Sequence, residues 1–221
     1  MSLIKIPNRT DYVDSVYHNL RDAISDGTLS PGERITQEDL AERLNVSRSP
    51  VLQALRLLKK DGLLEDAPGR GLLVTRLDPK RISHLYQIRG ALDGLAAKLA
   101  AQRGQKISFH LIEHGREVSM GQNVNAMIEA DMAFHRAIYE ASGNPLIVDS
   151  ALLHWVHFRQ IMGAVLQKTS SRQGIWDEHA AIADAINNKN SELAAQLSEK
   201  HTDAARMALI QHLQLAHLSV A

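Results

Sequence analysis

Asp131 and His135 stand four residues apart in a stretch where the apolar residues Met127, Phe134 and Ile138 recur at helical spacing. On an α-helix such a pair projects from one face, so a carboxylate and an imidazole can reach one ion. Taken alone, the pair is more often a solvated or hydrogen-bonded surface pair. Two further histidines change the balance: His179 in Trp176-Asp177-Glu178-His179-Ala180-Ala181-Ile182, and His201 in Leu197-Ser198-Glu199-Lys200-His201, each on a separate helical stretch. One aspartate and three histidines projecting from three helices into a bundle would make a nitrogen–oxygen site for a divalent metal, with zinc first and nickel or manganese after it. Four protein ligands leave one or two octahedral positions for water or the carboxylate of a small molecule. The chain has no cysteine, so nothing favours a closed structural zinc site, and disulfides and thiol nucleophiles are excluded.

A second kind of chemistry lies near the other end. Between Arg48 and Lys60 the residues Val51, Ala54, Leu55 and Leu58 form one apolar stripe, and Leu52, Gln53, Arg56 and Lys60 fall opposite it, with Arg48 and Ser49 at the start. A helix N-terminus suits phosphate, Gln53 can pair with an adenine edge, and Arg48 can pair with guanine or phosphate. Such residues on an isolated helix are a solvated face. Their surroundings argue for DNA contact.

Those surroundings are helices and a hairpin. Val13, Val16, Tyr17, Leu20, Ala23 and Ile24 mark a first helix over Tyr12–Ser25, stopped by Gly27 and Pro31-Gly32. Thr36 can cap a second helix, with Asp39 in the capping-box position and Leu40, Ala41 and Leu44 buried. Asn45-Val46-Ser47 makes a turn, Ser49 caps, and Pro50 opens the third helix. Leu63-Leu64-Glu65 and Leu72-Leu73-Val74-Thr75 then read as strands around Pro68-Gly69-Arg70-Gly71. Three helices and a hairpin of this kind make a winged helix-turn-helix, whose third helix enters the major groove. After a linker at Leu77-Asp78-Pro79, only helical patterns follow, broken at Gly104, Gly121, Gly143-Asn144-Pro145 and Ser170–Gly174. The fold class is therefore mainly α: an N-terminal winged helix-turn-helix over 1–78 and a C-terminal antiparallel all-helical bundle over 79–221.

Composition limits the function classes. Lys plus Arg and Asp plus Glu both number 25, and residues 1–78 hold 11 basic and 12 acidic side chains, so any DNA contact must come from placement and not from net charge. No stretch reaches the roughly 18 apolar residues of a membrane span, and the N-terminus carries no apolar signal core, so no membrane partner is expected and the cytoplasm is the default location. Of 11 histidines only His18 precedes residue 79, a first sign of two separate tasks. His110, His114, His154, His157, His212 and His217 are read as packing or solvated residues.

Residues 12–76 resemble the GntR family of bacterial regulators. The resemblance is carried by Pro31-Gly32-Glu33-Arg34-Ile35, by Leu40-Ala41-Glu42-Arg43-Leu44-Asn45-Val46-Ser47-Arg48-Ser49-Pro50-Val51, and by Gly69-Arg70-Gly71 at the wing tip. Arg70 would then reach the minor groove or its phosphates. Leu52-Gln53 departs from the Arg-Glu usual in the family. Residues 79–216 resemble the FadR-type C-terminal ligand domain (FCD), in its VanR-like six-helix form, through Asp131-Met132-Ala133-Phe134-His135 and Ala141-Ser142-Gly143-Asn144-Pro145.

That resemblance implies that Asp131, His135, His179 and His201 hold the metal and that Arg89 turns toward a bound acid, a role suited to a bidentate guanidinium. Gln87 and Asp93 stand where the family more often has Glu. The implied protein is a homodimeric regulator, a repressor of double-stranded operator DNA released by a small carboxylate effector bound at the metal. A constitutive DNA binder with a purely structural metal, and a metal-dependent enzyme on a helical bundle, are the alternatives.

Overall fold

In the computed structural model, residues 11–166 and 173–218 are described. The chain divides into two compact units, one ending at Arg76 and the other beginning at Leu77.

The first unit runs α1 (Asp11–Ser25), β1 (Arg34–Ile35), α2 (Gln37–Arg43), α3 (Arg48–Lys60), β2 (Leu64–Asp66) and β3 (Leu72–Val74). The expected hairpin is β2 and β3, with Leu64 opposite Val74. A third strand was not expected: β1 pairs with β3, Arg34 opposite Leu73, giving the order β1-β3-β2. Two residues are too few to display the period of two by which a strand is read. Val16, Leu20 and Ile24 of α1 and Val51, Ala54, Leu55 and Leu58 of α3 are buried, so the apolar stripe of α3 faces the core.

The turn between α2 and α3 places Asn45 at φ +50°, a left-handed conformation that asparagine tolerates. Thr36 caps α2, accepting from the Asp39 N–H at 3.2 Å, while the Asp39 carboxylate faces Arg43 at 3.5 Å. The start of α3 corrects the sequence reading. Ser47, extended at φ −67° and ψ 159°, is the cap residue in place of Ser49, and the helix begins at Arg48. Pro50 still costs nothing, because the first turn has no intrahelical acceptor for its missing N–H.

The second unit contains, among the described residues, α4 (Pro79–Arg103), α5 (Phe109–Ser119), α6 (Val124–Ala141), α7 (Pro145–Leu166), α8 (Gln173–Asn187) and α9 (Ser191–Leu218). The expected linker at Leu77-Asp78-Pro79 is in fact a helix start. Asp78 accepts from the Lys80 and Arg81 N–H groups at 3.1 Å, and Pro79 opens α4. Gly104 ends that helix at φ +67°, and Gly121 and Gly143-Asn144 fall between helices. Of the break at Ser170–Gly174, residues 170–172 lie outside the described ones, and Gln173 and Gly174 open α8.

Small residues set the helix spacing. Ala96, Ala97, Ala100 and Ala101 are buried, and a Cβ at Gly94 would come within 2.6 Å of Glu199, so α4 lies close along α9. Gly115 of α5 faces the Trp176 ring, where a Cβ would come within 2.1 Å. The Trp176 indole N–H donates to Ser119 at 2.8 Å, which fixes the start of α8. No helix among the described residues is long and apolar enough to cross a membrane.

Candidate metal and effector site

Three helices deliver the histidines. In α6 the buried residues Met127, Ala130, Asp131, Phe134, His135 and Ile138 recur between one and four apart, so Asp131 and His135 share the inward face. In α8 the buried set Trp176, His179, Ile182, Ala183 and Ile186 does the same for His179, and α9 brings His201 and Thr202. One ring nitrogen each of His135, His179 and His201 lies within 4.8 Å of the other two. Nε2 of His179 and Nε2 of His201 are 3.2 Å apart.

Asp131 borders this group without belonging to its tight core. Its carboxylate oxygens lie 3.6 Å from His179 Nε2 and 3.9 Å from His135 Nε2, and Oδ2 also faces Arg89 at 3.5 Å.

The donor set fits a metal ion. Desolvation, reinforced by Arg89 and the other imidazoles, holds the pKa of His135 well below 6.5, and His179 is lowered by the same burial, by His201 and by Arg89. Both rings are therefore neutral, the form that binds metal. His135 Nε2 is buried with no hydrogen-bond partner, an orphaned lone pair aimed into the cluster.

One outer carboxylate orients a ring by hydrogen bonding, and a second lies beside another ring. Glu178 lies 2.6 Å from His201 Nδ1, and that hydrogen bond lowers the glutamate pKa. Asp93 lies 3.7 Å from His135 Nδ1. Pairing Nδ1 with a carboxylate leaves Nε2 free for a metal.

Arg89 is buried between two aspartates, 3.3 Å from Asp93 and 3.5 Å from Asp131. Its guanidinium carbon lies 5.7, 5.3 and 5.1 Å from the ring centres of Tyr86, Trp155 and Phe158. Burial opposes the charge, but the two carboxylates outweigh it and raise the arginine pKa. Asp93 also accepts from Thr202 at 2.8 Å and, through a short bond, from Tyr139. Burial pushes the Asp131 carboxyl upward against the pull of Arg89, and carries the Tyr86 hydroxyl up to about 12. A cavity of about 330 Å³ opens beside Arg89, Asp131 and His201.

The structure thus brings Asp131, His135, His179, His201 and Arg89 to one place. The sequence reading missed Asp93, Tyr139, Glu178 and Thr202 as partners. Each had a signal: Asp93 and Tyr139 stand four residues after Arg89 and His135, one helical turn on, and Glu178 and Thr202 adjoin His179 and His201. Of the histidines given no role, His157 faces Arg81 at 3.2 Å, His154 is half-buried, and His110 and His114 are exposed with rings stacked 6.4 Å apart. The side chains of His212 and His217 lie outside the described ones.

In the first unit, Arg48, Ser49, Gln53 and Arg56 are all exposed on the outer side of α3, with Leu52 between them at 37% exposure. Arg48 approaches Glu38 at 3.6 Å, a surface pair that DNA phosphate can displace. Arg70 is exposed at the wing tip between Gly69 (φ +87°) and Gly71 (φ +94°), where a Cβ on Gly71 would come within 2.7 Å of the Ile35 carbonyl.

Comparison with known proteins agrees with both units. Residues 13–74 match the bacterial regulatory proteins of the gntR family, and residues 84–214 match the FCD domain. The chain is 30% identical over 206 residues to the HTH-type transcriptional regulator YdhC of Bacillus subtilis, covering 89% of this chain and 90% of that one. It is 30% identical over 187 residues to a probable D-xylose utilization operon transcriptional repressor of Paenarthrobacter nicotinovorans, covering 82% and 81%. The fold is similar to that of Escherichia coli McbR/YncC, with a TM-score of 0.77 at 21% identity over 92% of this chain and 99% of that one. These relatives are regulators of transcription, which removes the metalloenzyme alternative. The chain belongs to the GntR family of bacterial transcription regulators, with a gntR-type DNA-binding region followed by an FCD domain.

Proposed function

We propose that this regulator is a cytoplasmic, homodimeric repressor whose hold on operator DNA is controlled by a small organic acid bound at a metal in the FCD domain. The observation that carries the reading is the convergence of three buried imidazoles, one with an orphaned Nε2, beside Arg89 at the edge of a cavity. His135, His179, His201 and Asp131 would hold the metal, zinc before nickel or manganese. A divalent ion there supplies a Lewis-acidic charge that a carboxylate can bind. Arg89 offers that carboxylate a second, bidentate partner once its own aspartates are displaced or shared. The repressor sense follows the relative named for repressing a D-xylose operon. In the dimer, two copies of α3 would occupy successive major grooves, with Arg48, Ser49, Gln53 and Arg56 at the bases and phosphates and Arg70 on the minor-groove side.

Fluorescence anisotropy on DNA from upstream of the protein's own gene, with and without zinc and candidate acids, tests this. The expected result is salt-sensitive binding that weakens when zinc-loaded protein meets its acid. Absence of salt-sensitive binding under every condition overturns the reading.

The partnering of Arg89 by Asp93 and Asp131 favours a second reading, in which the metal is structural and the protein binds DNA constitutively. Calorimetry of acids against zinc-loaded protein separates the two: no heat from any acid, with DNA binding unaltered, supports the constitutive binder.

A further inference from the structure

Resting on the acid-responsive reading above, we propose that the acid is a monocarboxylate with an apolar tail, and not a di- or tricarboxylate or a sugar acid. The cavity beside Arg89 has polar lining residues, Tyr86, Arg89, Asp131, Glu178 and His201, and an apolar limb. Met162 and Leu166 of α7, Ile175 of α8, and Ala205, Ala208 and Leu209 of α9 line that limb. Beyond Tyr86 and the other polar lining residues, the hydroxyls of a sugar acid lying along the limb would find no hydrogen-bonding side chain among these six.

Charge points the same way. Among the described lining residues Arg89 is the single guanidinium or ammonium, and it already faces two aspartates, at 3.3 and 3.5 Å. The other charges on the lining are the Asp131 and Glu178 carboxylates. One ligand carboxylate is accommodated by Arg89 and a metal. A second would meet no further cation among the described lining residues, and the Asp131 and Glu178 carboxylates would repel it.

Size sets the tail. At about 30 Å³ for each water-sized unit, 330 Å³ holds an acid of about ten non-hydrogen atoms. Acetate would leave the apolar limb uncovered, and a chain of six to eight carbons would cover it.

Calorimetry of zinc-loaded, full-length protein with acetate, hexanoate, octanoate and citrate tests the proposal. Affinity is expected to rise about fourfold for each methylene buried between acetate and hexanoate, with octanoate at least as tight as hexanoate and citrate no tighter than acetate. Affinity independent of chain length, or citrate tighter than hexanoate, overturns the apolar tail and leaves the acid-responsive reading standing. Heat from none of the acids overturns both. Ala208→Phe, at an exposed position on the limb, is expected to bring hexanoate to within about twofold of acetate while acetate and zinc binding persist, which also shows the variant to be folded. A hexanoate advantage that survives in Ala208→Phe overturns the placement of the tail.

Discussion

Glu178 shows how a half-exposed residue can govern a buried one. Its carboxylate is half open to solvent, yet it holds His201 Nδ1 at 2.6 Å and so presents Nε2 to the other imidazoles. Glu178→Gln is expected to lower zinc affinity by about tenfold without unfolding the protein, read by competition with a chromophoric chelator; unchanged affinity would mean that Glu178 does not set the ring. The buried rings themselves impose a pH dependence. Desolvation, with neighbouring positive charge, depresses the pKa values of His135 and His179 in the folded protein. The unfolded chain therefore takes up protons first, and stability is lost as the pH falls from about 6.5 toward the lower folded values. In metal-free protein the melting temperature is expected to drop between pH 7.5 and 5.5. A flat or rising profile over that range would contradict neutral buried imidazoles.

At the scale of elements, the proposed DNA contact is divided between α3 and the wing. Gln53 and Arg56 sit one turn apart on the solvent side of a helix whose other side is locked into the core by Val51, Leu55 and Leu58. Gln53→Ala is expected to relax base preference at one operator position by about 1–3 kcal/mol, whereas Arg70→Ala should weaken all sequences alike and reduce the salt slope by about one. Anisotropy over a salt series on matched and mismatched DNA checks both, and an Arg70→Ala slope equal to that of the parent protein would remove the wing from the phosphate contacts. Most of these elements were legible because each has a repeating signature: the α3 stripe at three and four residues, the Thr36 cap, the glycines at the wing. What escaped was short or local. β1 has two residues, and the start of α3 turned on whether Ser47 or Ser49 was the extended one, a backbone choice that two nearby serines do not reveal.

For the whole molecule, equal numbers of acidic and basic side chains mean that net charge does not supply DNA affinity; in the proposed dimer it comes from a few placed arginines doubled by symmetry. If two copies of α3 read half-sites on one side of the duplex, inserting about five base pairs between the half-sites turns them to opposite sides and is expected to weaken binding by at least a hundredfold, while about ten base pairs restores the alignment. Equal binding to both spacings would overturn the two-fold arrangement. The sequence by itself determined the class of fold, and it singled out Asp131, His135, His179 and His201 by type and helical spacing and Arg89 by family resemblance, because helical period and motif are properties of the chain read one residue after another. The tertiary structure alone decided that three imidazoles form the tight group while Asp131 is shared with Arg89. It also decided that Asp93 joins Arg89, Tyr139 and Thr202, and that an apolar limb opens beside them. Those facts depend on how closely the helices approach, a distance set for α4 against α9 by what glycine leaves out at the contact, which no spacing along a single helix encodes.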